Sequence, residues 1–151
     1  MSTLHAERIL AQLATATLTP AGLGVVTVAR SYPYSLGDDA LPAVVITQVA
    51  DKPLHETPDT LTFQDWRLSV EFLVAVKSSA LPLDTGMNAV RLSLHKALMA
   101  DVTQTGLCIY TYPGEVTIEQ SKDDTTSEQP ISVMRALFDF IYRTGLSDPS
   151  I

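Results

Sequence analysis

Residues 66–77 alternate strictly between two kinds of side chain, and this alternation constrains the fold more than any other feature of the sequence. Successive side chains of a β-strand point to opposite faces of its sheet, so a period of two predicts a strand with one face in a core. Extension of the strand back to Leu61 would make it long for a globular domain. One series is entirely apolar and the other is mixed: Trp66, Leu68, Val70, Phe72, Val74 and Val76 against Arg67, Ser69, Glu71, Leu73, Ala75 and Lys77.

Residues 131–144 alternate in the same way and predict the last strand of the chain. The length and apolar content of this strand match those of the strand at 62–77, so the two are expected to be neighbours in one sheet. Its apolar series is Met134, Ala136, Phe138, Phe140 and Tyr142, and the opposite series is Val133, Arg135, Leu137, Asp139, Ile141 and Arg143.

Two segments carry apolar residues at spacings of three and four, which is typical of amphipathic helices. The first runs from Ser2 to about Ala16, with Ser2 or Thr3 as its cap, and the second runs from Asp84 or Thr85 to about Ala100. The expected buried stripes are Ala6, Ile9, Leu10, Leu13 and Ala14 in the first helix and Met87, Val90, Leu94, Ala97 and Leu98 in the second.

The remaining strands are shorter. The β-branched stretches 23–30 and 42–49 predict two of them, and 51–60 predicts a polar connection. Segments 107–112 and 115–120 predict two more, because Pro113-Gly114 between them is typical of a turn. The polar stretch 121–129 predicts a loop.

Strands follow one another without a helix between each pair, which excludes a doubly wound parallel sheet. The predicted fold class is α+β: two helices packed on one mainly antiparallel, mixed sheet, in the order α-β-β-β-α-β-β-β. The length of 151 residues is that of one ordinary domain, so residues 1–151 are expected to form a single unit. The tail 145–151 carries no packing signal and is expected to be extended.

The charge content limits the classes of partner that this chain is expected to bind. Charged residues make up only 18% of the chain, below the usual quarter, while 46% are hydrophobic, which hints at surface covered by partners. A net charge of −7 opposes binding to nucleic acid through its phosphates. No apolar stretch reaches the length of a membrane-spanning helix and no signal peptide is evident, so no membrane partner is expected and synthesis in the cytosol is the default.

No motif of the sequence predicts catalysis, a metal or a cofactor. His5, His55 and His95 are far apart in the chain and are expected to be exposed or half-exposed. Cys108 lies among strand residues and is expected to act as a small buried hydrophobe. The glycines stand singly, so no phosphate-binding loop is present. The prediction is therefore a protein that is not an enzyme and has no catalytic, metal or cofactor-binding residue.

An acidic stretch lies between Glu115 and Glu128, where five carboxylates stand against one lysine. If this hairpin lined a passage for DNA, its charge would repel phosphate. The alternative is a surface loop kept soluble by its charge. The candidate loop residues are Lys122, Asp123, Asp124 and Glu128.

The mixed faces of the two long strands predict an association surface. If the helices cover one face of the sheet, apolar side chains such as Leu73 and Leu137 remain among charges on the other face, and such patches often mark interfaces. A solvated sheet face is the competing interpretation. The candidate interface residues are Arg67, Glu71, Leu73, Arg135, Leu137 and Asp139.

The order of elements resembles that of the tail terminator family of long-tailed bacteriophages and prophages, also described as tail completion or minor tail protein U-like proteins. Apolar patterns with a few turn residues carry the resemblance over most of the chain. They are Arg8-Ile9-Leu10 followed by Leu13, the stretch from Leu41 to Ile46, the long strand Arg67–Val74, the helix Met87–Leu98, and the stretch Phe138–Thr144 before a short polar tail.

The resemblance implies a structural protein of the virion, at the junction of tail and head, assembled in the cytoplasm of the bacterial host. Such proteins form homohexameric rings that cap the tail tube, end its polymerisation and offer a surface for head joining. The implied partners are further copies of the chain, the tail tube protein and the head-neck connector protein. DNA passes through such a ring without sequence-specific binding, and no cofactor is needed.

Two other functions stay open at this point. One is another ring component of the neck, such as a head-closure or connector protein. The other is a small non-viral α+β domain that binds a ligand or acts as an adaptor.

Overall fold

A computed structural model describes residues 4–18, 27–30, 43–54, 62–77, 83–120 and 131–150. Within these ranges, two helices and five strands follow in the order helix, three strands, helix, two strands. The helices are α1 (His5–Leu18) and α2 (Leu83–Met99). The strands are β1 (Thr27–Arg30), β2 (Ala43–Pro53), β3 (Phe63–Lys77), β4 (Tyr110–Gln120) and β5 (Ile131–Gly145).

The five strands form one sheet in the order β1-β2-β3-β5-β4. The short β1 pairs with β2 in parallel, and the other three pairings are antiparallel. The two long strands β3 and β5 lie side by side over fifteen paired positions, from Phe63 opposite Gly145 to Lys77 opposite Ile131. The α+β class, the mainly antiparallel sheet and the pairing of the two long strands are thereby confirmed.

Both helices pack on the same face of the sheet. The buried side chains of α1 and α2 join the apolar series of β3 and β5 in one core, to which β2 adds Val44 and Ile46. Burial of these side chains is the main favourable contribution to folding. The largest fully buried side chains come from every layer: Ile9, Leu10 and Leu13; Ile46; Leu68 and Phe72; Met87, Leu94 and Leu98; Met134, Phe140 and Tyr142.

The structure corrects the prediction of two short strands around a turn at Pro113-Gly114. Residues 110–120 form the single strand β4, and its register with β5 shifts between Pro113 and Val116. The two residues therefore lie in a bulge at the edge of the sheet, where a proline costs no interior hydrogen bond. A Cβ atom on Gly114 would lie 2.9 Å from the carbonyl oxygen of Leu137, so glycine permits this close backbone approach.

Strand β2 is longer than predicted, because residues 51–53 belong to it and not to a polar connection. A register shift between Gln48 and Ala50 places Asp51 opposite Leu68, on the helix-covered side. The remainder of the predicted connection, 55–60, lies outside the described residues, as do the proposed caps Ser2 and Thr3 and the loop 121–129.

The chain after Gly145 folds back on the domain and is not extended as expected. Leu146 donates its N–H to the carbonyl of Thr62 at 2.9 Å, and His5 donates its N–H to the carbonyl of Pro149 at 3.1 Å. Arg8 donates to the carbonyl of Ser150. The tail thus satisfies a backbone N–H at the start of α1, a role that side-chain caps usually fill.

The buried side chain of Gln104 caps the C-terminal end of α2. Gln104 donates from Nε2 to the carbonyls of Leu98 (2.8 Å) and Asp101 (2.9 Å), so it satisfies a terminal carbonyl of the helix. Three successive residues have positive φ here: Gln104 at 48°, Thr105 at 59° and Gly106 at 85°. Non-glycine residues pay a conformational cost at such φ values, which the hydrogen bonds offset.

Replacement Gln104→Leu tests how much this C-terminal cap contributes to stability. The variant keeps a side chain of similar size but leaves the carbonyl of Leu98 without its donor, so we expect the free energy of unfolding to fall by about 1–3 kcal/mol. Urea denaturation followed by circular dichroism measures the change. The exposed neighbour Thr105 is the control. Among the described residues its side chain bonds to the carbonyl of Gln104 alone, and Thr105→Ser keeps that bond. An unchanged midpoint for Gln104→Leu would contradict the assignment.

Candidate functional site

The face of the sheet that the helices leave uncovered is called here the open face. The strand register arranges its side chains in rows that cross β2, β3, β5 and β4. Going along the strands, the rows are Lys52–Arg67–Ile141–Tyr110, Ala50–Ser69–Asp139–Tyr112, Thr47–Glu71–Leu137, Val45–Leu73–Arg135–Thr117 and Ala43–Ala75–Val133–Glu119.

The six residues predicted as an interface all lie on the open face, on the adjacent strands β3 and β5. They occupy four neighbouring rows, so the register brings them together as one patch. The register places them side by side, and their role as an interface stays a prediction. Their neighbours Ile141 and Tyr110 extend the patch toward the β4 edge.

Three ion pairs join arginines and carboxylates of β3 and β5 on the open face. Arg135 Nη1 lies 3.0 Å from Glu71 Oε1, and Arg143 Nε lies 2.6 Å from Asp65 Oδ1. The contact between Arg67 and Asp139 is longer, at 4.0 Å, and Asp139 also accepts a hydrogen bond from Ser69 at 2.7 Å. Three guanidinium groups of β3 and β5 are therefore balanced by three carboxylates on the same face.

These ion pairs contribute little to stability, because their side chains are half-exposed and water screens them. They instead determine the shape and the charge distribution of the open face. The two closer pairs hold long side chains across the strands, and Arg143 additionally lies over the ring of Phe63, with 3.8 Å from its guanidinium carbon to the ring centroid. The open face is therefore an ordered, mixed surface.

The apolar side chains of the open face fall into two groups. Leu73 and Val133 pack on the buried Ala43 and Ala75 at one end of the face. Leu137 lies in the middle, directly opposite Glu71. The first group forms a small second core, whereas Leu137 is a half-buried apolar side chain between ion pairs.

An exposed aromatic pair at the β4 edge was not predicted as part of the site. The rings of Tyr110 and Tyr112 lie 4.7 Å apart between centroids, and Tyr112 is 50% exposed. They face Ile141 and Asp139 on β5, which places them on the open face. The signal in the sequence was a tyrosine at each of two alternate positions of a predicted strand, a pattern that puts both rings on one face.

The predicted acidic stretch begins on β4. Lys122, Asp123, Asp124 and Glu128 lie outside the described residues. The two carboxylates that precede them, Glu115 and Glu119, are exposed on β4. The hypothesis of a passage for DNA therefore stays a prediction.

On the helix side, a polar cluster joins α1, β2 and β5. Tyr142 donates from its hydroxyl to Asp51 Oδ2 at 2.5 Å, and its ring stacks on that of His5 at 5.2 Å. His5 donates from Nε2 to the carbonyl of Leu107 at 2.6 Å and accepts at Nδ1 from Arg8. The half-buried His5 and the exposed His95 agree with the sequence prediction, while His55 lies outside the described residues.

Burial raises the pKa of the Asp51 carboxyl, and the hydrogen bond from Tyr142 opposes the shift. The second carboxylate oxygen, Oδ1, is buried and has no hydrogen-bond partner among the described residues. Burial, with the nearby Asp51 carboxylate as a lesser cause, raises the pKa of the Tyr142 hydroxyl. These groups hold α1 and β2 to β5, and they form a structural cluster.

The Asp51 carboxyl makes stability depend on pH. Because its pKa is higher in the folded chain than the ordinary 3.8, the folded protein binds this proton more tightly than the unfolded chain. Its contribution to stability is therefore present below pH 3.8 and is lost as the pH rises through the folded pKa. We expect Asp51→Asn to gain stability relative to the wild type between pH 4 and pH 7. Urea unfolding at both pH values measures this, and a difference that stays constant would contradict it.

Cys108 is buried, as predicted, and burial raises the pKa of its thiol to about 12. A thiol in this state is a poor nucleophile at neutral pH. Within the described ranges, no three His, Cys, Asp or Glu side chains group together as ligands of a metal ion would. None of the described helices is long and apolar enough to cross a membrane.

Comparison with known proteins gives similarity at the level of structure only. No protein-family model matches this chain, and no curated protein matches its sequence. Among solved structures, the chain is similar to the bacteriophage SPP1 gp17 protein, with 17% sequence identity and a TM-score of 0.43. The match covers 88% of this chain and 89% of that one.

Proposed function

We propose that this chain is a structural protein of a long-tailed bacteriophage or prophage, and that it acts as a tail terminator. In this proposal it forms a homohexameric ring on the end of the tail tube, stops further polymerisation and provides the surface that joins the tail to the head. It works in the virion, at the tail-head junction, without catalysis or a cofactor. The observation that carries the proposal is the open face.

The open face supports a role in assembly through its charge balance. Burial of a charged group against a partner is costly unless the group is paired. On β3 and β5 three arginines already have carboxylate partners within the face, as in Arg135–Glu71 and Arg143–Asp65. A second protein surface can therefore cover Leu137 and the Tyr110–Tyr112 pair without having to supply new counter-charges. A face of this kind suits the semi-polar contact between subunits of an assembly.

The resemblance to tail terminators indicates which partners this proposal requires. Further copies of the chain would form the ring, the tail tube protein would bind one rim and the head-neck connector protein the other. A closed ring requires two different patches on each subunit, one for each neighbour. DNA would pass through the ring without sequence-specific contacts, which is consistent with a net charge of −7.

The test is a comparison of phage particles made with and without this protein. An early stop codon in its gene is expected to produce tails of irregular excess length that carry no heads, seen by negative-stain electron microscopy. Expression of the wild-type protein from a plasmid should restore joined particles of uniform tail length. Tails of normal length that remain unjoined would indicate a head-closure protein instead. Normal, joined particles would overturn the proposal altogether.

A further inference from the structure

The chain after β5 is held to the start of α1 by hydrogen bonds from two residues, His5 and Arg8. The backbone N–H of His5 donates to the carbonyl of Pro149 at 3.1 Å, and the Arg8 guanidinium donates to the carbonyl of Ser150. These two bonds are called here the tail contact. The large apolar side chain of this stretch, Leu146, is 62% exposed. The tail contact therefore depends on hydrogen bonds and hardly on the burial of apolar surface.

The imidazole of His5 is fixed in one tautomer by its surroundings. Its Nε2 lies 2.6 Å from the carbonyl oxygen of Leu107, and because a carbonyl only accepts, Nε2 carries the hydrogen. Nδ1 then has a free lone pair, which accepts from Nη2 of Arg8 at 3.1 Å. The same Nη2 atom donates to the carbonyl of Ser150. One nitrogen of the guanidinium group therefore joins the neutral imidazole to the tail.

A proton on Nδ1 of His5 is incompatible with this arrangement. It removes the lone pair that accepts from Arg8, and it places two positively charged groups 3.1 Å apart. The new charge would also lie on the first residue of α1, where the helix dipole disfavours a cation. Arg8 then has to leave Nδ1, and the carbonyl of Ser150 loses its donor. The state with a free tail thus binds one more proton, so the tail contact weakens as the pH falls.

Among the described residues, Arg8 is the charged group that bonds directly to the imidazole. The other ionisable groups on the elements around His5 have partners of their own or are buried: Glu7 pairs with Arg30, Asp51 of β2 bonds to Tyr142 of β5, Asp101 accepts from Thr103 and Thr105, the thiol of Cys108 is buried, and Asp148 of the tail accepts from Ser150. Hydrogen bonds from Ser150 lower the pKa of the Asp148 carboxyl, so this group stays ionised where an imidazole titrates.

We propose that His5 and Arg8 make the tail contact a pH-sensitive switch, which is closed while the imidazole of His5 is neutral and opens when Nδ1 takes up a proton. Opening frees residues 147–150 and uncovers the backbone N–H at the start of α1. The proposal goes beyond the proposed function and does not depend on it, because every contact it uses lies within one chain.

Electron paramagnetic resonance of a nitroxide label tests the switch. The label is attached through Ser147→Cys, at an exposed position of the tail, while the native thiol of Cys108 is buried. We expect the motion of the label to be restricted at about pH 8 and fast at about pH 5, with the ratio of bound to free tail falling roughly tenfold or more. Circular dichroism at both pH values shows whether the domain itself stays folded.

Replacement His5→Gln separates the switch from other effects of pH. A glutamine side chain offers an N–H to the carbonyl of Leu107 and an oxygen to Arg8, but it does not titrate. The label should therefore stay restricted at both pH values. His95→Gln is the matched control, since His95 is an exposed histidine on α2 and its loss should leave the pH response of the wild type unchanged. Arg8→Met should free the tail at both pH values.

NMR of the imidazole nitrogens in the wild type gives a second measurement that needs no substitution at His5. Protonation of Nδ1 and release of the label should occur over the same pH range. A label that stays restricted at about pH 5, or that moves freely at about pH 8, overturns the switch. A wild-type response that persists in a folded His5→Gln variant, or that occurs while Nδ1 remains unprotonated, overturns the assignment to His5. Gene disruption in the phage tests only the proposed function, so either proposal can fail alone.

Discussion

Replacement of Phe72 by alanine is expected to lower the free energy of unfolding by about 3–5 kcal/mol, the usual cost of truncating a buried aromatic side chain. Phe72 is completely buried at the centre of β3, and its ring meets that of Phe138 edge-on, with centroids 5.5 Å apart. The substitution removes this aromatic contact and leaves a cavity between the sheet and the helices. Such a loss is a large part of the total stability of an ordinary domain, about 5–15 kcal/mol.

Guanidinium denaturation followed by circular dichroism measures the effect of Phe72→Ala as a lower midpoint at an unchanged slope. Leu92→Ala is the control, because Leu92 lies on α2 and is 54% exposed, so its truncation should change stability by no more than about 0.5 kcal/mol. A similar, small effect of both substitutions would contradict the assignment of the core to the face of β3 that carries Phe72.

Strands β3 and β5 could be predicted from the alternation of their side chains, because each strand has one face in the core and the other outside it. The buried side chains of β5, such as Phe138 and Phe140, alternate with half-buried ones, such as Leu137 and Asp139. A pattern that depends only on spacing along the chain survives in a single sequence. The helices were found for the same reason, with ends within a few residues of the observed ones.

The bulge in β4 could not be predicted, because its cause lies on another strand. Pro113-Gly114 has the composition of a turn, but Gly114 passes close to the backbone of Leu137, and only the pairing of β4 with β5 creates that contact. The folded-back tail is a similar case. The carbonyl of Pro149 accepts the hydrogen bond from the N–H of His5 only because the start of α1 lies beside it.

The candidate site was predictable as a set of residues but not as an arrangement. The sequence places Glu71 and Arg135 on mixed faces of two strands, whereas their ion pair depends on a register in which Glu71 lies opposite Leu137 and reaches Arg135 diagonally. A shift of two residues would keep every side chain on its face and change every partner. The charge balance of the open face is therefore a property of the register.

Replacement Leu137→Lys is expected to prevent assembly while leaving the fold intact. Leu137 is half-buried at the centre of the open face, directly opposite Glu71, so a lysine keeps much of the aliphatic contact and its ammonium group lies near a carboxylate. The isolated domain should therefore lose less than about 1 kcal/mol. Against a partner, however, the face would carry an extra positive charge, and burial of that charge should weaken the contact roughly a hundredfold.

Complementation of the gene-disrupted phage measures this effect as the number of particles with joined heads and tails. Leu92→Lys is the matched control, since it introduces the same charge at an exposed leucine on α2, on the other side of the sheet, and should complement like the wild type. Circular dichroism shows whether each variant folds. Because the two substitutions are chemically identical, a loss of joined particles with Leu137→Lys alone assigns the defect to the open face. Full complementation by a folded Leu137→Lys variant would mean that the open face remains in contact with solvent in the assembled particle.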